Sequence, residues 1–281
     1  MAFTSCFQRP LLAAAVVFAL FGGLAACSTP APDRPLALRL PVVLLGEVHD
    51  NATQHALRAE AFTALLARGA RPALALEQFD RDKQPLIDRL LAQNPRPNAD
   101  ALIQAAGGTG WHWPHYKPFI EAALASGLPI VAANVGREEA RRVMREGLAA
   151  TGFDAAVPDD LLARQAAGIE ASHCGLLDTA TARRMALAQV ARDQFMARVL
   201  MQYSERGVVL LAGNGHVRVD IGVPHWMPPA LRARSEAIGV LEQGDPLTAY
   251  DRRVYTPAQT RPDPCEQMRR AVPGPAREPK R

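Results

Sequence analysis

The chain has 281 residues, with 32 Lys and Arg against 28 Asp and Glu and a formal net charge of +4. That length suffices for one α/β domain with a full hydrophobic core. Six basic and three acidic residues fall within positions 261–281, so the remainder is close to neutral. With no interleaving of aromatic and basic residues, nucleic acid is excluded as an expected partner.

Residues 1–26 read as a signal peptide. Arg9 is the only charge ahead of a sixteen-residue apolar stretch, 11–26, shorter than the roughly 20 residues a membrane-spanning helix needs. The stretch ends Leu24-Ala-Ala-Cys27-Ser28, which resembles the lipobox of bacterial lipoproteins, with Cys27 as the acylated residue. A secretory signal in which Cys27 is incidental is the alternative. Ser28 rather than Asp after the Cys resembles outer-membrane sorting. The expected location is therefore the bacterial cell envelope, with the membrane as a partner through lipidated Cys27. Residues 27–39 carry three prolines and read as an extended tether.

Residues 40–260 are expected to fold. Val42 to Leu45 is a short, wholly apolar run, and so are Ala73 to Leu76, Ile130 to Ala133 and Val208 to Leu211. Apolar residues at every position mark strands buried on both faces, as in a parallel sheet covered by helices. Ile238 to Glu242 reads as a further strand. Helices are expected from Asn51 to about Ala67, Pro118 to Ser126, Arg137 to Glu146 and about Thr179 to Tyr203. Asn51 supplies an N-cap, and Gly69 and Gly127 supply stops. The pattern predicts an α/β fold: a mainly parallel sheet with helices on both faces and a site at the carboxyl ends of the strands.

Positions 83–116 are too long for a simple crossover and are expected to form an insertion over the site. Positions 261–281, with five prolines, are expected to be a disordered basic tail. Beside Cys27, the mature chain would keep Cys174 and Cys265. A bond between them in an oxidising compartment is open, although Cys265 lies in that tail. No Cys-x-x-Cys pair supports a thiolate zinc site.

The strand ends deliver the candidate chemistry. Glu47 and His49 follow the first run, Glu77 the second, Asn134 the third, and Asn214 and His216 the fourth. Carboxylates beside imidazoles suit acid–base work or a divalent metal. Glu47 and His49 share a face if the backbone stays extended past Gly46. On the last long helix Gln189, Asp193 and Met196 are spaced by four and three and share a face. That spacing puts Gln189 or Asp193 under the strand ends, where either would orient His49 or His216; a solvent-facing polar pair is the alternative. Trp111-His112-Trp113-Pro114-His115-Tyr116 concentrates rings in a chain with three Trp and four Tyr. Such a loop can stack on a flat ligand and offer a Tyr or His to iron, or fold onto the core through its Trp rings. His173 adds an imidazole ahead of the long helix.

These motifs form an ordered series. Leu45-Gly-Glu47-Val-His49-Asp-Asn51, Glu77, Trp113-Pro-His-Tyr116-Lys-Pro118, His173, Gln189-Val-Ala-Arg-Asp193-Gln-Phe-Met196-Ala197 and Ala212-Gly-Asn-Gly-His216 resemble the ChaN-type haem-binding lipoproteins. The resemblance runs from about Val42 to Pro224. It implies a haem-binding protein rather than an enzyme, acting in haem or iron acquisition, with a Tyr as iron ligand and haems meeting across a homodimer. Tyr116, in the matching segment, is the expected ligand, since a phenolate suits ferric iron. His49, His216, Trp113, Asp193, Met196, Gln189, Asn134 and His173 are expected around the haem. The wider superfamily includes erythromycin esterase-like hydrolases and Tiki-type metalloproteases, which share the Gly-Glu-x-His strand end. On that second reading Glu47, His49, Glu77 and His216 serve a metal-dependent or acid–base hydrolase.

Overall fold

A computed structural model describes residues 36–39, 41–93, 95 and 97–271. The expected signal peptide, the lipidation site Cys27 and the tether as far as residue 35 lie outside the described residues. In chain order the first elements are β1 (Val42–Leu45), α1 (Ala52–Ala67), β2 (Ala73–Asp80), α2 (Gln84–Leu91) and α3 (Ala99–Ala106). Then come α4 (Lys117–Ala125), β3 (Ile130–Asn134), α5 (Arg137–Glu146), α6 (Asp159–Ser172) and α7 (Thr179–Tyr203). The last are β4 (Val208–Leu211), the single turn α8 (Asn214–Val217), α9 (Pro229–Arg232), β5 (Ser235–Glu242), β6 (Arg252–Thr256) and α10 (Pro264–Ala271).

All six strands run parallel, in the order β3-β2-β4-β1-β5-β6. The apolar runs are buried on both sides because successive side chains point to opposite faces. Val43 and Leu45 pack with Phe62 of α1 and Phe119 of α4. Val42 and Leu44 pack with Met196 and Leu200 of α7. Asn51 caps α1, its side chain accepting the N–H of Gln54 at 3.0 Å. Gly69, after the end of α1, has φ +90°, a conformation that suits a residue without a side chain.

The register decides where the site lies. Leu45 stands opposite both Leu211 and Ile238, so β1, β4 and β5 reach the carboxyl edge level with one another. From β1 the chain passes to β2 on one side, whereas from β4 it passes beyond β1 to β5 on the other. The two connections leave these neighbouring strands in opposite directions, which makes a crevice at that edge. Glu47 leaves β1 there and Gly213 leaves β4.

Two expectations need correction. Within positions 83–116, α2 and α3 pack onto the core through Ile87, Leu102 and Ala106, so the segment is mostly a helical layer and not a cover. Its final loop alone, about residues 109–115, borders the rim. The tail is not structureless over its described part: α10 forms, Arg261 pairs with Asp50 and Glu242, and Cys265 is bonded to Cys174. Proline content and charge carry no trace of partners that distant in sequence.

Candidate functional site

Glu47 is the hub of the first half of the site. Gly46, whose N–H bonds the carbonyl of Ile238 at 2.8 Å, leaves no room for a Cβ beside Asn214, and the next residue turns inward. The Glu47 carboxylate is buried. Arg58 of α1 pairs with its Oε2 and also donates to the carbonyl of Leu45 at 3.0 Å. The Tyr116 hydroxyl donates to Oε1 at 2.5 Å. The Nδ1 atom of His49 lies 2.8 Å from the same Oε1. A buried carboxylate survives only when paired and hydrogen-bonded, and this one has three partners.

With Nδ1 tied down, the His49 ring is held in one orientation, and among the described residues its other nitrogen has no hydrogen-bond partner. Its side chain is 49% exposed. The ring packs against Gly213, where a Cβ would fall 2.9 Å from its Cε1 and 3.0 Å from its Nε2. Trp111 meets the same ring edge-on at 5.0 Å. Outside lies a cleft of about 640 Å³ lined by His49, Asp50, Trp111, His112 and His115. Behind it, His55 is buried, bonds the carbonyl of His49 at 3.0 Å and stacks on His115 at 4.2 Å. Burial lowers the pKa of both His55 and His115 to about 4, so both rings are neutral at neutral pH.

The second half is a relay across the Gly213 backbone. Glu77, buried in β2 just past its last pairing with β4, accepts the N–H of Gly213 at 2.7 Å. His216 lies between two carboxylates, with Nε2 3.5 Å from Glu77 and Nδ1 2.6 Å from Asp193. Burial opposes its charge, but Glu77 and Asp193 together outweigh that and push its pKa up to about 10. Glu77 is charged for a like reason: burial raises its pKa, yet His216, His49 and the Gly213 N–H bring it down to about 2. Asp193 is raised by burial. Gln165 of α6 holds the other Asp193 oxygen at 3.2 Å and the carbonyl of Ile221 at 3.0 Å. A second cleft of about 450 Å³, between α6 and the rim, has Asp193 and His216 in its wall.

The structure thus brings together Glu47, His49, Glu77, Asp193 and His216. It separates the others. Asn134 ends β3, three strands from β1 and so about 14 Å away. Its amide donates to Asp80 at 3.0 Å, near a different cleft of about 550 Å³ whose charged wall includes Lys83, Glu139 and Arg142. That cleft holds neither an imidazole nor a buried carboxylate pair, and we place the chemistry at the other two. Gln189 lines the second cleft but is spent on Arg192, at 3.2 Å. Met196 is fully enclosed in the core below the sheet. Trp113 turns away from the rim, onto Phe79 at 5.1 Å, with its Nε1 donating to the carbonyl of Gly108. His173 caps α6, its Nδ1 2.8 Å from the carbonyl of Ile169.

Tyr116 is the main correction. It is fully enclosed, its hydroxyl is committed to Glu47, and burial raises its pKa further above that of a free phenol. A ring so placed orients Glu47 and presents no phenolate to iron. A divalent metal fares no better. Among the described residues no group of three or more His, Cys, Asp or Glu is arranged to hold a metal ion. The physical reason is that Glu47 and Glu77 already spend their oxygens on Arg58, Tyr116, His49, His216 and Gly213.

Sequence reasoning missed Arg58, His55 and Gln165. The first two were within reach: Asn51, Gln54, His55 and Arg58 continue the inward face that Phe62 and Leu66 define, and all are buried. Polar residues on the buried stripe of a helix mark a site. Gln165 meets Asp193 across 28 positions and left no signal.

Residues 37–227 match the family described as haem-binding uptake, Tiki superfamily, ChaN. The chain belongs to that family. Among solved structures, ChaN of Campylobacter jejuni, described with cofacial haem binding, is similar with a TM-score of 0.62 at 21% identity over 75% of this chain and 86% of that one. At that identity the likeness shows the fold. An erythromycin esterase mutant in its open conformation aligns with a TM-score of 0.45 at 15% identity, over 73% of this chain and 71% of that one. No curated protein matches the chain.

Proposed function

We propose that this ChaN family member binds haem in the cleft beside His49 and acts in haem or iron acquisition as a lipid-anchored protein of the bacterial cell envelope. The observation that carries the reading is the His49 ring, fixed through Nδ1 by buried Glu47 and half exposed in a cleft of about 640 Å³. The volume lies within the roughly 300–1,000 Å³ of ligand pockets. A carboxylate behind an imidazole is the arrangement that orients a metal-binding nitrogen. Trp111, His112 and His115 supply flat rings along the same wall. Haem, when bound, supplies the iron chemistry; His49 would hold the iron, and the Trp111 loop would cover the macrocycle. Haemin titration tests this: a Soret band in the wild type that is lost in His49→Ala supports it, and an identical spectrum in both overturns it.

The envelope location rests on the lipobox at Cys27, and the Cys174–Cys265 bond suits an oxidising compartment. Palmitate labelling that persists in Cys27→Ser would remove the anchor. A homodimer that brings haems face to face is the matching assembly, since the Campylobacter protein is described with cofacial haem binding; light scattering with and without haemin reads it.

One observation favours a second reading, an acid–base hydrolase. His49 oriented by Glu47, with Glu77 and His216 across Gly213, is how a general base and a fixed charge are presented to a substrate. Ester hydrolysis abolished by His49→Ala without any bound haem would support it, and its absence across an ester panel would leave haem binding alone.

A further inference from the structure

The segment after β6 is fastened at two places on either side of the rim. The first anchor is ionic. The Arg261 guanidinium contacts Asp50, the residue after His49, at 2.6 and 2.7 Å, and Glu242 at 2.8 Å. The second anchor is covalent: Cys265 is bonded to Cys174, in the turn between α6 and α7, 91 residues earlier. The two anchors are four positions apart in sequence, a reach of at most roughly 14 Å. The segment therefore ties the β1 end of the rim to the α6–α7 turn.

What holds the second anchor apart from the sulfurs is slight. On α10, Cys265 and Met268 are half-buried while the residues between and after them, to Arg270, are exposed. Met268 meets Cys174 at 3.9 Å. Cys174 itself has φ +60°, a left-handed conformation costly for a residue with a side chain, which persists where its surroundings enforce it. The turn also carries Leu176, exposed despite being apolar. Meanwhile α6 forms one wall of the 450 Å³ cleft, and its Gln165 holds Asp193 against His216. The position of the turn thus bears on access to His216.

We propose that residues 257–271 are a redox-latched strap, in which the Cys174–Cys265 bond holds α6 against the rim and its reduction by a dithiol protein opens the cleft at His216. A thiolate of the reductant attacks one sulfur, its second thiol resolves the mixed disulfide, and two electrons and two protons pass to Cys174 and Cys265. Both cysteines are half-buried and so reachable. The strap presupposes the site at His216 but not the identity of its ligand.

The test compares the folded full chain with its bond intact and after treatment with dithiothreitol. Amide hydrogen exchange is expected to rise roughly tenfold over residues 165–178, 213–217 and 262–271, with β1, β2 and β4 unchanged. Cys265→Ser without reductant should reproduce the pattern. Equal protection in both states overturns the strap. Faster exchange at 165–178 and 262–271 with unchanged exchange at 213–217 overturns the gate and leaves the bond a simple staple.

Discussion

The imidazole of His216 lies 2.6 Å from the buried carboxylate of Asp193 and 3.5 Å from that of Glu77, so both of its nitrogens face an acceptor. This makes it a fixed positive charge and not a proton shuttle. The base of the site, on geometry, is His49: one nitrogen bonded, one side open. Two histidines at neighbouring strand ends thereby receive different roles from their surroundings.

The charge on His216 sets a pH dependence. Its pKa rises on folding from 6.5 to about 10, so its stabilisation is complete below pH 6.5 and is lost as pH climbs through about 10. Glu77, lowered from 4.5 to about 2, contributes above pH 4.5 and fails as pH falls through about 2. Asp193→Asn should move the alkaline loss toward neutral pH by one unit or more, each unit worth roughly 1.4 kcal/mol. Urea midpoints at pH 6, 8 and 10 check it, together with the His216 titration followed by NMR.

Glu47→Gln should be among the most damaging single changes. It leaves the fully buried Arg58 without its counter-charge, a loss of roughly 3–5 kcal/mol for a broken buried pair. Chemical denaturation reads the cost directly. A loss below about 1 kcal/mol would show that water reaches Arg58 and that the array is looser than its contacts imply.

Tyr116→Phe separates the two roles considered for that ring. If the hydroxyl serves Glu47, the variant loses roughly 1–2 kcal/mol of stability and keeps the haemin spectrum of the wild type. A changed ferric spectrum with unchanged stability would return Tyr116 to the iron.

Gly213→Ala addresses the seat of His49. The backbone at 213 has φ −60°, which any residue adopts, so the objection is steric alone: the new methyl would meet the His49 ring. That ring is half exposed and can swing outward. Thermal stability should therefore change little while haemin affinity falls at least about tenfold, equivalent to roughly 1.4 kcal/mol. Unchanged affinity, measured by titration, would detach Gly213 from the site.

What was legible in the sequence was local or repetitive. Four apolar runs implied a doubly covered parallel sheet because burial on both faces demands apolar residues at every position. Glu47, His49, Glu77 and His216 were then placed at the rim by their position after those runs. Asp193 was legible because a carboxylate on the inward stripe of α7 has to have a partner. The ordered motifs pointed to the family on the same basis.

The tertiary structure alone decided the rest, because it depends on which strands become neighbours. Strand order puts β4 beside β1, joining Glu77, Gly213 and His49, and leaves Asn134 three strands away. It encloses Tyr116 behind Glu47, a contact across 69 positions, and brings Cys265 to Cys174 across 91. Side-chain type says what a residue can do, and a chain of this length offers many partners for each. Packing selects one of them, and that selection made Tyr116 a support, His216 a fixed charge and His49 the open nitrogen.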